Sequence, residues 1–62
     1  MKLTVRQEQV LGLVAQGKTD KEIAFLLEIS FKTVDFHMQK ILRELKASSR
    51  AHAVAIRFIP KR

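Results

Sequence analysis

Two helix-start signatures near the front of this chain fix most of what can follow. Thr4-Val5-Arg6-Gln7 and Thr19-Asp20-Lys21-Glu22 each place a Thr three residues ahead of a Gln or Glu. At that spacing the hydroxyl accepts from a backbone N–H in the first turn, and the Gln or Glu reaches back to the N–H of the Thr. The helix opened at Thr4 carries Val10, Leu11 and Val14 at helical spacing and should stop at Gly17. The helix opened at Thr19 holds Ile23, Ala24 and Leu27 and is short, because Glu28-Ile29-Ser30 interrupts it. Ser30 is a good N-cap for a third helix reaching about Leu45. A last helix starts near Ser48 or Ser49 and ends before Pro60. The fold class read this way is all-α, with four helices. Only about three residues part the second helix from the third, so they cross steeply, as in a helix-turn-helix. An ordinary helical hairpin has similar spacing, and spacing alone leaves both open.

With 62 residues the chain reads as one domain over 1–62. A chain this short buries roughly 60% of its unfolded surface, so its core is thin. It has no cysteine to brace it. His37 and His52 lie too far apart for a usual zinc motif, so no metal or cofactor is expected. No apolar run is long enough to cross a membrane and no signal-peptide pattern opens the chain, which suggests the cytoplasm, with the nucleoid as working location, and no membrane partner. Charge is more informative. Residues 1–31 hold four basic against four acidic side chains, whereas residues 32–62 hold eight basic against Asp35 and Glu44, which accounts for the whole +6. A basic half beside a neutral half suits a polyanion-binding face.

The third helix divides cleanly. Val34, Met38, Ile41 and Leu45 follow an i, i+4, i+7, i+11 pattern and form its buried stripe. Lys32, Phe36, Gln39, Lys40 and Arg43 fall on the other side. Cations for phosphate, an amide for base edges and an apolar ring for a thymine methyl suit a DNA groove. The competing reading is a solvated helix face with one stray Phe. Asp35 is ambiguous: phosphates repel it, cytosine N4 can donate to it, and Lys32 or Gln39 could pair with it locally.

Read together, these residues resemble a family. Leu3-Thr4-x-Arg6 with Val10-Leu11, then Gly17-Lys18-Thr19-x-Lys21-Glu22-Ile23-Ala24-x-x-Leu27-x-Ile29-Ser30, then Thr33-Val34-x-x-His37, Ile41, Leu45 and Ser49-Arg50 are similar to the LuxR-type (LuxR/FixJ, GerE-type) DNA-binding domain of bacterial transcription regulators. The likeness covers nearly the whole chain without gaps. It implies double-stranded DNA as partner, a third helix in the major groove and a fourth helix at a homodimer contact. The family's base-reading positions correspond to Asp35, Phe36 and Gln39. Its phosphate contacts correspond to Thr19 and Lys21, then Lys32 and Thr33, and Lys40 and Arg43 extend the cationic face. His37 is expected to pack against the scaffold. The Thr-Val-Asp-Phe-His-Met stretch is similar to the autoinducer-receptor branch, which connects the chain with quorum sensing. RNA polymerase is a further partner of such regulators, and nearly all members carry a regulatory domain ahead of this one.

Several positions depart from the family pattern. Gln7 and Gln9 replace glutamates that would pair with a later arginine, Lys40 replaces Asn, Glu44 replaces a base and Lys46 replaces Gly. Phe25 and Leu26 stand where the family is usually polar, so they are either a contact for a missing domain or partner, or extra core volume. The chain begins almost directly on the first capping box, as an excised DNA-binding half or a stand-alone protein would. In the fourth helix Arg50 and Arg57 share one narrow stripe, extended by Lys61. Ala53 is expected in the core, and the surplus apolar face of Ala51, Ala55 and Phe58, with Val54 at its edge, is expected to meet its twin across a two-fold axis.

Other functions are weaker readings. Catalysis has little support, since the carboxylates fall on caps and helix surfaces and so small a core leaves little room for a pocket. A protein-interaction module of the same fold, with Asp35 and Glu44 weakening DNA affinity, is one alternative. A sigma-factor-like promoter-binding domain is another, although Thr33-Val34 with His37 favours the LuxR type.

Overall fold

A computed structural model describes residues 2–59 as four α-helices: α1 (Val5–Ala15), α2 (Asp20–Leu27), α3 (Phe31–Leu45) and α4 (Arg50–Phe58). Each starts on a hydroxyl. Thr4 and Thr19 make full capping boxes, the first closed by Gln7 and the second by Glu22. Ser30 accepts from the Thr33 N–H at 3.0 Å and Ser49 from the His52 N–H at 3.1 Å. Caps of this kind each contribute about 1 kcal/mol. The start of α4 has one addition: the Ser48 N–H donates to Nδ1 of His52 at 3.0 Å, so the imidazole satisfies a second backbone donor.

The first three helices end in one way. After α1 the Lys18 N–H bonds the Leu13 carbonyl, after α2 Ile29 bonds Ala24, and after α3 Ala47 bonds Leu42. These six-residue closures need one left-handed residue each, supplied by Gly17 at φ 87°, Glu28 at 57° and Lys46 at 54°. Only the first has the residue that adopts this backbone without steric cost. Three residues, Glu28 to Ser30, part α2 from α3.

The core draws on all four helices. Val10 and Leu11 of α1, Ile23 of α2, Val34, Met38, Ile41 and Leu45 of α3, and Ala53 of α4 are buried. Burying a full-sized aliphatic side chain contributes roughly 1.5–3 kcal/mol, so α3, with four of the eight, anchors the fold. The stripe expected on α3 is the one buried. Phe25 and Leu26 are not core volume: they are 82% and 51% exposed, which removes that alternative. Phe25 lies on the side of α2 opposite Ile23 and Leu27, Leu26 lies on the flank, and both are left exposed among the described residues.

Two ion pairs tie distant segments together. The Arg50 guanidinium forks onto both oxygens of Asp20, linking the first turns of α4 and α2. Arg57 Nε donates to both oxygens of Glu8, at 2.9 and 3.0 Å, linking α4 to α1. Gln7 and Gln9 carry no charge for the family's ion pair to a later arginine, and the pair that α1 does make comes from the neighbouring Glu8. Lys61, expected to extend the arginine stripe, lies outside the described residues.

Candidate nucleic-acid interface

Because Val34, Met38, Ile41 and Leu45 face inward, α3 turns its other side outward over most of its length. Lys32, Asp35, Phe36, Gln39, Lys40 and Arg43 line one open concavity along that side. Three cations and one carboxylate give it a positive balance. Phe36 is 58% exposed, and the Lys40 ammonium lies 5.3 Å from its ring centroid. A cation over a ring face is attracted by the ring's quadrupole, worth about 0.5–1 kcal/mol at an exposed site. The His37 ring is 6.1 Å from that of Phe36, and His37 is half-buried at the flank of the helix. Asp35 pairs with Gln39, whose amide N–H donates to Oδ2 at 3.4 Å.

The remaining phosphate candidates are arranged differently. Thr33 is half-buried, with its hydroxyl 2.8 Å from that of Ser30. Thr19 uses a lone pair to accept the Glu22 N–H, which leaves its own proton free to donate. Lys21 is exposed in the first turn of α2. Neither Thr19 nor Lys21 lines the α3 concavity; they sit at the start of the neighbouring helix.

The α4 residues divide. Ala51 and Phe58 are exposed, Ala55 is half-buried, and Val54 packs with Ile56 against the core. The apolar surface left on α4 is therefore narrower than the composition suggests. At its end the Arg57 guanidinium carbon lies 5.1 Å from the Phe58 ring centroid.

Electrostatics near the start of α2 is set by pairing. The hydrogen bonds from Arg50 hold the Asp20 carboxyl below its ordinary range, and the guanidinium is pushed further up in return. The Thr19 backbone N–H holds Glu22 low in the same way. Sequence reasoning missed the Asp20–Arg50 and Glu8–Arg57 pairs, because partners 30 and 49 residues apart leave no local pattern.

Residues 1–57 match the model of the bacterial regulatory proteins, luxR family. The chain belongs to that family. It is similar to the uncharacterized response regulatory protein YgeK of Escherichia coli (strain K12), at 47% identity over 47 residues, covering 76% of this chain and 32% of that protein. The transcriptional regulatory protein LiaR of Bacillus subtilis (strain 168) is 47% identical over 51 residues, 82% of this chain and 24% of LiaR. The HTH-type quorum sensing-dependent transcriptional regulator RpaR of Rhodopseudomonas palustris is 44% identical over 54 residues, 87% of this chain and 22% of RpaR. The chain thus spans a third or less of the length of these curated relatives. As a luxR-family helix-turn-helix domain, it is a DNA-binding domain of transcription regulation. A response regulatory protein and a quorum sensing-dependent regulator match about equally well, so the luxR-family domain by itself does not mark the autoinducer branch. Among the described residues no helix is long and apolar enough to cross a membrane.

Proposed function

We propose that this luxR-family domain binds double-stranded DNA with α3 in the major groove, paired with a second copy through α4 on a pseudo-palindromic site. The observation that carries the reading is the outward face of α3, where Lys32, Lys40 and Arg43 surround Phe36 and Gln39 on a helix whose opposite side is the core. A recognition helix needs a cationic outer face and an inner face anchored on the core, and α3 has both. In this reading Lys21, Lys32, Lys40 and Arg43, with the hydroxyls of Thr19 and Thr33, hold phosphates, while Asp35, Phe36 and Gln39 face the bases. Ala51, Ala55 and Phe58, with Val54 beneath them, would form the pairing surface. Two recognition helices would then stand about one DNA turn apart, roughly 34–36 Å. The small α4 surface makes the free domain monomeric and confines pairing to DNA. A regulatory domain joined to this one would control it in the whole protein.

Titration with duplex DNA at several salt concentrations tests the reading. Four cationic phosphate contacts per domain give a log–log salt slope of about −3 to −4. A slope near zero, or binding too weak to measure at low salt, favours the alternative of a protein-interaction module.

A further inference from the structure

Asp35 is the one anion in a concavity that also holds three cations, Lys32, Lys40 and Arg43. An ionised carboxylate can only accept hydrogen bonds, at about four lone-pair positions. Oδ2 takes the Gln39 amide N–H at 3.4 Å, a long bond that orients more than it stabilises. Only the NH2 end of the amide can face a carboxylate, because the reverse arrangement opposes two acceptors. Gln39 is thereby turned with Oε1 away from Asp35. The result is a pair of acceptors, Asp35 Oδ1 and Gln39 Oε1, one helical turn apart on the exposed side of α3.

We propose that Asp35 and Gln39 act as one acceptor pair that selects, at the base facing them in the major groove, one carrying an exocyclic amino group (cytosine through N4 or adenine through N6) over guanine or thymine, with Asp35 as the specificity-determining residue. The inference rests on α3 entering that groove. Guanine O6 and N7 and thymine O4 are themselves acceptors. Set against the carboxylate they supply no proton, and Asp35 is left desolvated and unpaired. Selection therefore comes from rejection as much as from attraction. The two amino-bearing bases place different demands on the pair. Cytosine N4 needs only the Asp35 carboxylate. Adenine presents N7 beside N6, and the second amide hydrogen of Gln39 can serve N7 while Asp35 holds the amide in register.

The test is selection from a random duplex pool with the 62-residue chain and with Asp35→Ala, Asp35→Asn and Gln39→Ala, each checked for helical circular dichroism. The unaltered chain should select cytosine or adenine at one position of the half-site. Both Asp35 variants should admit guanine and thymine there at a salt slope no shallower than the parent's. Gln39→Ala should keep cytosine and lose adenine. Replacing the selected base by its amino-free analogue, 2-pyrimidinone for cytosine or purine for adenine, should weaken the parent roughly tenfold and Asp35→Ala little. A steep salt slope with the same base preference in the parent and Asp35→Ala overturns this inference alone. No enrichment and no salt slope in the parent overturns the groove reading, and this inference with it.

Discussion

Replacing Lys46 by glycine should stabilise the fold, although it removes a side chain and adds no contact. Lys46 closes α3 at φ 54°, in the region where Cβ crowds the following carbonyl. That crowding costs roughly 1–2 kcal/mol for a residue with a side chain. Glycine removes the cost but returns about 0.5–1 kcal/mol through its freer unfolded chain. The net gain is about 0.5–1 kcal/mol, or roughly 2–8 °C in melting temperature for a domain of this size. Glu28, at φ 57° after α2, is the matched control. Lys46→Gly lowers the net charge of +6 by one and Glu28→Gly raises it by one, so a charge effect would move the two in opposite directions. The backbone account moves both upward. Thermal melts by circular dichroism, paired with urea melts at constant m-value, measure this directly. A loss of stability in either variant, and above all changes of opposite sign in the two, would contradict the backbone origin of the gain.

Three further predictions concern charge and assembly. Asp20 and Glu22 both titrate below their ordinary values of 3.8 and 4.5, so they bind fewer protons folded than unfolded. Their stabilisation is complete above about pH 5 and is lost as pH falls through the ordinary carboxylate range toward the lower folded values. Urea midpoints should fall between pH 5 and pH 3, and Asp20→Asn should flatten part of that fall; an unchanged profile contradicts it. Lys21→Ala and Lys32→Ala should each weaken binding to all duplexes about equally and make the salt slope shallower by about one. An altered sequence preference at constant slope would remove the residue from the phosphate contacts. Ala55→Glu should abolish the two-to-one complex on a palindrome while keeping half-site binding and helical signal, as read by gel shift and sedimentation. Cooperative binding by this variant excludes α4 as the interface, and unfolding assigns Ala55 to the core.

The parts of the fold legible in the sequence were those with local causes. Hydroxyl caps at Thr4, Thr19, Ser30 and Ser49 act within three residues of themselves, so each helix start stands in the sequence as it does in the structure. The α3 stripe was equally plain, because its period is set by the helix itself. The ends of α2 and α3 are read from the interruption at Glu28 and from the last apolar position of the stripe at Leu45; no glycine marks them, and Glu28 and Lys46 take the left-handed positions that glycine usually fills. The ring nitrogen of His52 at the start of α4 went unread because His rarely takes the place of Glu or Gln in a capping box. At the candidate interface, the six α3 residues of one concavity follow from helical geometry alone. The pairs Asp20–Arg50 and Glu8–Arg57 depend on how helices are laid side by side, which periodicity within one helix does not encode. Exposure of Phe25 and Leu26 was undecided for the same reason. A short helix supplies enough apolar positions for either face, and packing chose Ile23.

The claim that the outward face of α3 meets the DNA groove is tested most directly by following every backbone amide by NMR during titration with duplex DNA at low salt. The account predicts that the largest shifts fall in residues 31–43 and in the first turn of α2 around Thr19 and Lys21, with the middle of α1 little changed. The side-chain amides of Gln7, Gln9 and Gln16, which lie on α1 or at its end, give an internal comparison for the Gln39 NH2 on α3. Shifts centred instead on Phe25, Leu26 and the exposed side of α1, with residues 31–43 unmoved, would contradict it.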